Sequence, residues 1–325
     1  MDRSTLRLQI EFEPRMCGQH VVDLTVGCSF GCLYCPFSDQ KARHAGVSHP
    51  SVVDMSTISQ LPVPPSVFLS SASDAFAPQA APHTHALLER WLPRGTMVGI
   101  VTKGIIPLRT LDLLADFRAQ VEGVSVGVVS LDEDRNRVVE PGCPPAADRL
   151  TNIDRLSARG LPVALRMDPL FPIVDDGPAA LRTLVAEGAR RGAWTIMAAY
   201  VFTFGRYLRR LRREPLLAES CRLLTERAPM EGGAAFSVPL ARKLRTYSWL
   251  AELARAHGLD FNTCRCKDLR LDGSEQLFAT TCRNAAFFQE RGLPLPACGN
   301  ERRDGLHRAR GPNCQPDISS TGTAK

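Results

Sequence analysis

Apolar runs of strand length recur as far as Tyr200 at intervals of about 30 residues, the length of one strand–helix unit. They are short, and they are rich in valine, isoleucine and small apolar residues. The runs are Val21–Val26, Val67–Ser70, Met97–Thr102, Val124–Val129, Pro162–Met167 and Thr195–Tyr200. Segments with the 3.6-residue period of amphipathic helices separate them, namely His85–Leu92, Leu108–Gln120, Ala146–Arg159 and Ala179–Arg191.

Six such units predict an α/β fold, a partial (β/α)6 TIM-like barrel with right-handed crossovers. We assign this barrel to residues 21–258 and expect a helix at Ala235–Gly258 at its end. Residues 1–20 form an N-terminal edge segment, in which Leu6–Phe12 alternates as a half-buried strand does. Residues 259–316 are predicted to be a Cys-rich extension, and the polar residues 317–325 a disordered tail.

Composition narrows the class of protein. The chain has 325 residues, and it has no apolar run long enough to cross a membrane. The first residues lack the charged, apolar and small-residue regions of a signal peptide, so we expect a cytoplasmic protein with reduced thiols. Its eleven cysteines then favour metal sites over disulfides. A formal charge of +6 permits an anionic partner without requiring one.

Three cysteines, Cys28, Cys32 and Cys35, stand within eight residues directly after the first predicted strand. Loops at the carboxyl ends of strands carry the chemistry of barrels and open α/β sheets. A disulfide would leave one of these thiols over, and a structural zinc ion needs a fourth ligand that is not nearby. Three thiolates suit a cubane iron–sulfur cluster with one iron open. A zinc knuckle or a surface cluster of cysteines is the alternative.

The stretch C-S-F-G-C-L-Y-C resembles the cluster motif of the radical S-adenosylmethionine (SAM) superfamily, including Tyr34 before the last cysteine. The resemblance implies that Cys28, Cys32 and Cys35 bind three irons of a 4Fe-4S cluster. It implies that the fourth iron takes the amino and carboxylate groups of SAM. Reduction would then release a 5′-deoxyadenosyl radical that abstracts hydrogen from a substrate. The superfamily also implies a partial barrel, in agreement with the strand pattern.

Later motifs resemble, in order and spacing, the spore photoproduct lyase-like subfamily over roughly Val21 to Tyr200. The set comprises Ser70–Asp74, Val101–Lys103, Ser130, Glu140-Pro141-Gly142-x-Pro144, Arg149, Gly160-x-Pro162 and Arg166–Pro169. Each motif is weak alone and gains force as part of the ordered set.

The resemblance implies roles for six residues in binding SAM. Ser73 and Asp74 would line its pocket, and Lys103 would meet its carboxylate, a strong charge-assisted contact in a dry site. The other implied contacts are Ser130 near the amino acid or ribose end, Tyr34 with the adenine through its backbone, and Arg166. Structural alternatives are that Lys103 snorkels at the barrel rim and that Ser130 caps a helix. From the sequence alone, Arg166 either binds a substrate acid or pairs structurally with Asp168.

Two departures separate this chain from the lyase itself. The lyase carries a hydrogen-donating cysteine in its Ser-Cys-Thr-Ser-Asp stretch, where this chain has Ser71. A serine O–H bond is much too strong to quench a carbon radical. The DNA-wedging hairpin of the lyase has no recognisable counterpart in the sequence either. We therefore expect a member of the subfamily that is not the repair enzyme.

The predicted extension contains four cysteines, Cys264, Cys266, Cys282 and Cys298, enough to fill a zinc site or an iron–sulfur cluster. Its few apolar residues suggest that a metal supplies the missing constraint on folding. An auxiliary cluster, a zinc ion and no metal all stay open, and Cys314 is a substitute ligand. The arginine-rich run Gly205–Arg213 predicts a helix with a solvated face, with phosphate or nucleic-acid contact as the alternative.

The leading functional hypothesis is radical chemistry on an organic substrate, a small metabolite, a natural-product precursor or a peptide, with an electron donor such as flavodoxin or ferredoxin. The first alternative is a nucleic-acid lesion repair or base-modifying enzyme. The second is a non-catalytic iron–sulfur or zinc protein. No membrane partner is expected.

Overall fold

The computed structural model describes residues 11–13, 19–35, 51–52, 61–70, 72–230, 233–264, 267–271, 273–274 and 276–279. The strands are β1 (Glu11–Glu13), β2 (Gln19–Val22), β3 (Thr25–Val26), β4 (Ser51–Val52), β5 (Ser66–Leu69), β6 (Met97–Thr102), β7 (Val121–Gly127), β8 (Val163–Leu170), β9 (Thr195–Tyr200), β10 (Glu226–Met230), β11 (Gly233–Ser237) and β12 (Asp260–Asn262). The α-helices are α1 (Ala81–Trp91), α2 (Leu108–Asp116), α3 (Glu133–Val139), α4 (Ala146–Ser157), α5 (Pro178–Arg190), α6 (Gly205–Leu211), α7 (Pro215–Arg222) and α8 (Leu240–Ala256). Short 3-10 helices cover Leu92–Arg94, Arg118–Gln120 and Leu269–Leu271.

One large sheet organises the molecule, with the strand order β1-β2-β5-β6-β7-β8-β9-β12. Every pair from β2 to β12 is parallel, and β1 pairs antiparallel with β2. Helices connect the successive parallel strands from β5 to β9, as parallel pairing requires. The predicted α/β fold of TIM-like barrel type is therefore confirmed.

The core fills both sides of this sheet. All six positions of β9 are buried, as expected of a parallel strand that is covered on both faces. Trp91 at the end of α1 and Leu150 and Ile153 of α4 are buried members of the same core cluster. Because the strands run parallel, all of their carboxyl ends lie along one edge, and the candidate site lies there. In the described part of the chain, no helix is both long and apolar enough to cross a membrane.

The sheet continues past residue 258, where we expected the barrel to end. Strand β12 pairs parallel with β9, through Asp260 opposite Thr195 and Asn262 opposite Met197, and adds a seventh parallel strand to the six predicted. A strand of three residues is too short to be predicted from a hydrophobic pattern.

The first part of the predicted extension has an apolar anchor, contrary to expectation. Phe261 and Phe278 are buried, and their rings pack edge to face at 6.0 Å between centroids. Both rings also contact Tyr247 of α8, at 6.1 and 5.7 Å. Such pairs add about 0.5–1.5 kcal/mol beyond the area that they bury. Phe261 and Phe278 therefore anchor the described residues between 259 and 279 to α8 by apolar packing.

The sequence also missed a hairpin. Residues Gly233–Ser237 pair antiparallel with Glu226–Met230, although we assigned the last three of them to a helix. Its second strand also bridges to Thr203, just beyond β9, through Phe236. Helix α8 begins only after Pro239, whose backbone is extended. Most of the predicted edge segment 1–20 lies outside the described residues.

Candidate active site

The loop that carries Cys28, Cys32 and Cys35 leaves the first parallel strand at the carboxyl edge of the sheet. Gly31 has φ = 59°, in the left-handed region that favours glycine, and this lets the loop turn between the first two cysteines. The backbone N–H of Cys35 donates to the carbonyl of Cys32 at 3.2 Å. Cys32 is buried, and the other two cysteines are half-buried. All three thiols therefore belong to one compact turn.

The thiols are close enough to affect one another. Burial and the nearby Asp74 carboxylate raise the pKa of the Cys28 thiol to about 12, and Cys32 and Cys35 add to the rise. Among the described residues, no group of three ligating side chains is placed to hold a single metal ion. A cubane cluster needs a wider spacing of the three sulfur atoms than a single metal ion does, because each thiolate binds a different iron. Three thiolates on one turn are the donors of an iron–sulfur cluster with one open iron, whereas a structural zinc ion needs a fourth ligand.

A second turn, Val139–Cys143, packs directly against the cysteine loop. The N–H of Leu33 donates to the carbonyl of Val139, and that of Gly142 donates to the carbonyl of Phe30, both at 2.9 Å. A Cβ on Gly142 would lie 2.6 Å from the carbonyl oxygen of Ser29, so only glycine allows this approach. The turn brings the Cys143 sulfur to 3.8 Å from that of Cys32.

Glu140 of the same turn is the central charge of the site, and its side chain is fully buried. It accepts a hydrogen bond from the Tyr34 hydroxyl at 2.8 Å and another from Arg149 at 2.7 Å. The Lys103 ammonium lies 3.8 Å away. Burial alone would raise the pKa of Glu140, but the charges of Lys103 and Arg149 hold it below its usual value. Glu140 therefore stays ionised and links the cysteine loop to the ends of the neighbouring strands.

Lys103 follows β6 and is the partly accessible cation of this group, with 16% of its side chain exposed. Its ammonium lies 5.5 Å from the centre of the Tyr34 ring. Burial would lower the pKa of Lys103, but Glu140 and then Cys32 raise it above its ordinary value. Lys103 is therefore a fixed positive charge beside the cysteine loop.

Ser73 and Asp74 lie in the loop after β5, and described protein groups already engage both side chains. The Ser73 hydroxyl and backbone N–H both donate to Asp23 at 2.8 Å. Asp74 accepts from the Thr102 hydroxyl at 2.6 Å and from the backbone N–H of Lys103 at 2.7 Å. Asp74 therefore fixes the backbone from which the Lys103 side chain rises.

Ser130 and Arg166 also make contacts within the protein. The Ser130 hydroxyl accepts from the backbone N–H of Asp132, the residue that caps α3. Arg166 donates to the Asp168 carboxylate, and Lys267 donates to the same oxygen of it. The structure therefore contains the structural pairing of Arg166 with Asp168 that the sequence left as one of two alternatives.

Sequence reasoning assigned no role to Glu140, Cys143 or Arg210, although the first two lie in the motif that starts at Glu140. Arg210 of α6 donates to the carbonyl oxygens of Leu33 and Cys35. Glu140 stands in the Glu-Pro-Gly turn that the sequence singled out, but only the structure shows that its side chain is buried. No local pattern marks Arg210.

Of the four cysteines predicted to form an auxiliary site, the structure describes one. Cys264 is half-buried just after β12, where its carbonyl accepts from the backbone N–H of Lys267 at 3.3 Å. Cys266, Cys282 and Cys298 lie outside the described residues, as does Ser71. The auxiliary site therefore stays a prediction.

The geometry defines a class of protein, an α/β protein with a three-cysteine loop at the carboxyl edge of its parallel sheet. Residues 22–183 match the family model described as Radical SAM superfamily. The uncharacterized protein ORF301 of Acidianus two-tailed virus is 33% identical over 106 residues, which are 33% of this chain and 35% of that protein. The uncharacterized protein Rv2578c of Mycobacterium tuberculosis is 34% identical over 116 residues, 35% of this chain and 33% of that protein. These alignments span only about a third of either relative.

Solved structures agree on the fold. Spore photoproduct lyase complexed with dinucleoside spore photoproduct superposes with a TM-score of 0.55 and 15% identity, over 80% of this chain and 79% of that one. A mutant lyase with bound AdoMet and the dinucleoside gives 0.53 and 14% over the same shares. At such identity the similarity concerns the fold alone. The chain belongs to the radical SAM superfamily, whose enzymes bind an iron–sulfur cluster and SAM.

Proposed function

We propose that this chain reductively cleaves SAM at a 4Fe-4S cluster held by Cys28, Cys32 and Cys35, and that it abstracts hydrogen from an organic substrate. The observation that carries the proposal is the meeting of these thiols with Lys103 and buried Glu140 at one edge of the sheet. When bound, the cluster supplies the electron that splits the sulfonium of SAM. The remaining steps depend on how the protein binds, orients and encloses the reactants.

Lys103 is proposed to hold the carboxylate of SAM. Its ammonium makes no hydrogen bond with the described residues, since Glu140, the carboxylate paired with it, is 3.8 Å away. Arg149 already donates to Glu140 at 2.7 Å, so Glu140 has a closer partner than Lys103. The Lys103 ammonium can therefore attract a further anionic group.

For the other predicted contacts with SAM, we propose which part of each residue would make the contact. Ser73 and Asp74 would form the pocket wall through their backbone, because both side chains are engaged within the protein. Tyr34 would present its backbone to the adenine while its hydroxyl stays on Glu140. Ser130 and Arg166 already form hydrogen bonds with Asp132 and Asp168. They would contact SAM only through the hydrogen bonds that these contacts leave available.

The decisive experiment is anaerobic reconstitution followed by reduction with dithionite. The wild type should bind iron and sulfide and release 5′-deoxyadenosine, whereas Cys28→Ala/Cys32→Ala/Cys35→Ala should release none. Cys221→Ala, at a buried thiol of α7, is a matched control and should behave as the wild type does. Undiminished release by the triple variant would exclude the proposed cluster site. No release by any form would favour a non-catalytic metal protein.

The substrate is proposed to be a small metabolite, a natural-product precursor or a peptide. The alternative is a nucleic-acid lesion or base, which the shared fold with spore photoproduct lyase supports. Binding to phosphates releases counterions, so affinity for an oligonucleotide should fall steeply with salt if the alternative holds. Titration of a labelled duplex and a single strand between low and physiological salt separates the two hypotheses.

We also propose an auxiliary cluster or zinc ion on Cys264, Cys266, Cys282 and Cys298. The triple variant at the first three cysteines should then retain metal after reconstitution, as iron with sulfide or as zinc. Adding Cys264→Ala and Cys266→Ala should remove this remainder. A metal-free triple variant would rule out the second site. Packing by Phe261 and Phe278 predicts that the residues up to 279 stay folded in every case.

A further inference from the structure

The arginines of α6 and of the turn that follows it divide into two groups. Arg206 and Arg210 stack on the buried ring of Tyr207, with guanidinium carbons 4.6 and 5.5 Å from its centre. Arg210 also contacts the cysteine loop. Both arginines have structural partners, and Arg210 attaches the helix to the loop.

Arg209, Arg212 and Arg213 form the second group, which we name the arginine surface. All three are exposed, and none forms an ion pair within the part of the chain that the structure describes. The nearest acid in sequence, Glu214, caps α7 by accepting from the backbone N–H of Leu216. Like charges three and four positions apart repel one another on a helix. An acidic partner bound to these three arginines would neutralise their charges and remove this repulsion.

The arginine surface lies directly beside the proposed cluster. Arg210, between its members, donates to the carbonyls of Leu33 and Cys35, so a single side chain separates α6 from the cysteine loop. A cavity of about 230 Å³ opens between them, lined by Leu33, Arg210, Leu211, Arg213 and Glu214. Arg213 of the arginine surface and Leu33 of the cysteine loop line the same cavity, so a protein bound at Arg213 would lie close to the loop.

We propose that the arginine surface docks an acidic protein that carries single electrons, of the flavodoxin class. The proposal rests on the proposed function, because only a protein with a cluster needs such a donor. Electron transfer slows steeply with distance, so the donor has to bind close to the cysteine loop. A positive patch that meets a negative one speeds encounter and orients the two proteins. The flavin hydroquinone of the donor gives up one electron, and the cluster accepts it; no other group is transferred.

A nucleic acid is the competing occupant, and the dimensions favour the protein. From Arg209 to Arg212, the C-cap of α6, the helical rise is only about 4.5 Å, and Arg213 is the next residue. Tight, salt-sensitive binding to a duplex needs cations placed along several phosphates. A compact group of three cations instead matches the acidic rim of a small protein.

The test compares two variants of equal charge. The surface variant is Arg209→Glu/Arg212→Glu/Arg213→Glu. The control variant is Arg94→Glu/Arg118→Glu/Arg255→Glu, three exposed arginines that each lie just before a strand, at the opposite edge of the sheet. Each triple change lowers the formal charge from +6 to 0, since every substitution removes two units. Any difference between the variants therefore reports position and not net charge.

Binding of a purified flavodoxin would be measured by calorimetry at low and physiological salt, and its reduction of the reconstituted protein by stopped-flow absorbance. We expect the surface variant to bind at least about tenfold more weakly at low salt and to be reduced correspondingly more slowly, with the control close to wild type. Dithionite, which needs no docking site, should reduce all three forms equally and should yield 5′-deoxyadenosine.

Two results would overturn the proposal. One is a surface variant that binds flavodoxin and is reduced by it as the control is. The other is a surface variant that loses affinity for a labelled 20-base-pair duplex with a steep salt dependence, while its reduction by flavodoxin is unchanged. Failure of dithionite to produce 5′-deoxyadenosine in the wild type would instead count against the proposed function, and the binding isotherms distinguish that case.

Discussion

Glu140 and Asp168 are two buried carboxylates at the same edge of the sheet. They differ in how far the cations paired with them are exposed to solvent. Each collects cations from elements distant in sequence. The partners of Glu140 include Arg149, whose side chain has no exposure, whereas those of Asp168, Arg166 and Lys267, are 16% and 21% exposed. Water can replace a partner of Asp168, but it cannot reach Arg149.

This difference has an energetic consequence. Removing one member of a fully buried pair leaves an uncompensated charge and costs several kcal/mol. Where the partners reach solvent, the cost falls toward that of a surface pair. We therefore expect the group around Glu140 to be a rigid foundation for the cysteine loop, and the group around Asp168 to be an adjustable link between β8 and the segment after β12.

The largest effect is predicted for Glu140→Gln. Loss of the Glu140 charge leaves the buried Arg149 guanidinium without an anionic partner. The free energy of unfolding should therefore fall by about 3–5 kcal/mol. Urea denaturation of the apoprotein measures it. Glu252→Gln, at an exposed position of α8, is the matched control and should change stability by less than about 0.5 kcal/mol. A loss below about 1 kcal/mol for Glu140→Gln would show that the two groups do not differ as we argue.

Lys103→Ala should act on ligand affinity instead of the fold. Glu140 keeps Arg149 and Tyr34, so the protein should fold and load iron normally. If Lys103 holds the SAM carboxylate, the binding free energy should weaken by about 1.5–3 kcal/mol, the range for a hydrogen bond to a charged group. Equilibrium dialysis with labelled SAM measures this, with Arg137→Ala on the exposed face of α3 as control. An unchanged dissociation constant would return Lys103 to a structural role at the rim.

Asp168→Asn should cost less than Glu140→Gln, about 1–2 kcal/mol of unfolding free energy, because Arg166 and Lys267 keep contact with water. Urea denaturation at pH 7 checks the size. An effect equal to that of Glu140→Gln would remove the distinction between a rigid and an adjustable group.

The same variant predicts a pH dependence. Burial would raise the pKa of the Asp168 carboxyl, but the charges of Lys267 and Arg166 hold it well below its usual value. Stability from a lowered carboxyl pKa is present above the unfolded-state pKa of about 3.9 and is lost as pH falls through the folded-state value. The stability difference between wild type and Asp168→Asn should therefore be constant from about pH 7 to 5 and shrink below about pH 4. A difference that already shrinks near neutrality would contradict the assignment.

The smallest effect is predicted for Lys267→Met, at most about 1 kcal/mol of unfolding free energy. Asp168 keeps Arg166, and the apolar anchor of Phe261 and Phe278 on Tyr247 is untouched. Thermal unfolding of Lys267→Met and of Lys267→Arg, which keeps the charge, measures the difference. A larger loss would mean that the ion pair, and not the aromatic packing, holds the segment after β12 in place.

The sequence by itself determined the repeating strands and helices, the position of the cysteine loop and the place of Lys103 at a strand end. These features depend on local patterns: apolar periodicity, turn residues, and ligands spaced within eight residues. It gave no sign of β12 as a strand or of the hairpin β10–β11, because runs of three to five residues with alanine, phenylalanine and proline fit several conformations.

Only the tertiary structure decided which charges meet. Tyr34 and Glu140 are 106 positions apart, and Asp168 and Lys267 are 99 apart, so no local pattern pairs them. It also showed that Phe261 and Phe278 find a buried site on Tyr247, whereas composition predicted a segment without a core. The physical reason is the same in each case. Burial and the partners of a charge are set by chain segments that folding brings together, and these contacts are not encoded within any one segment.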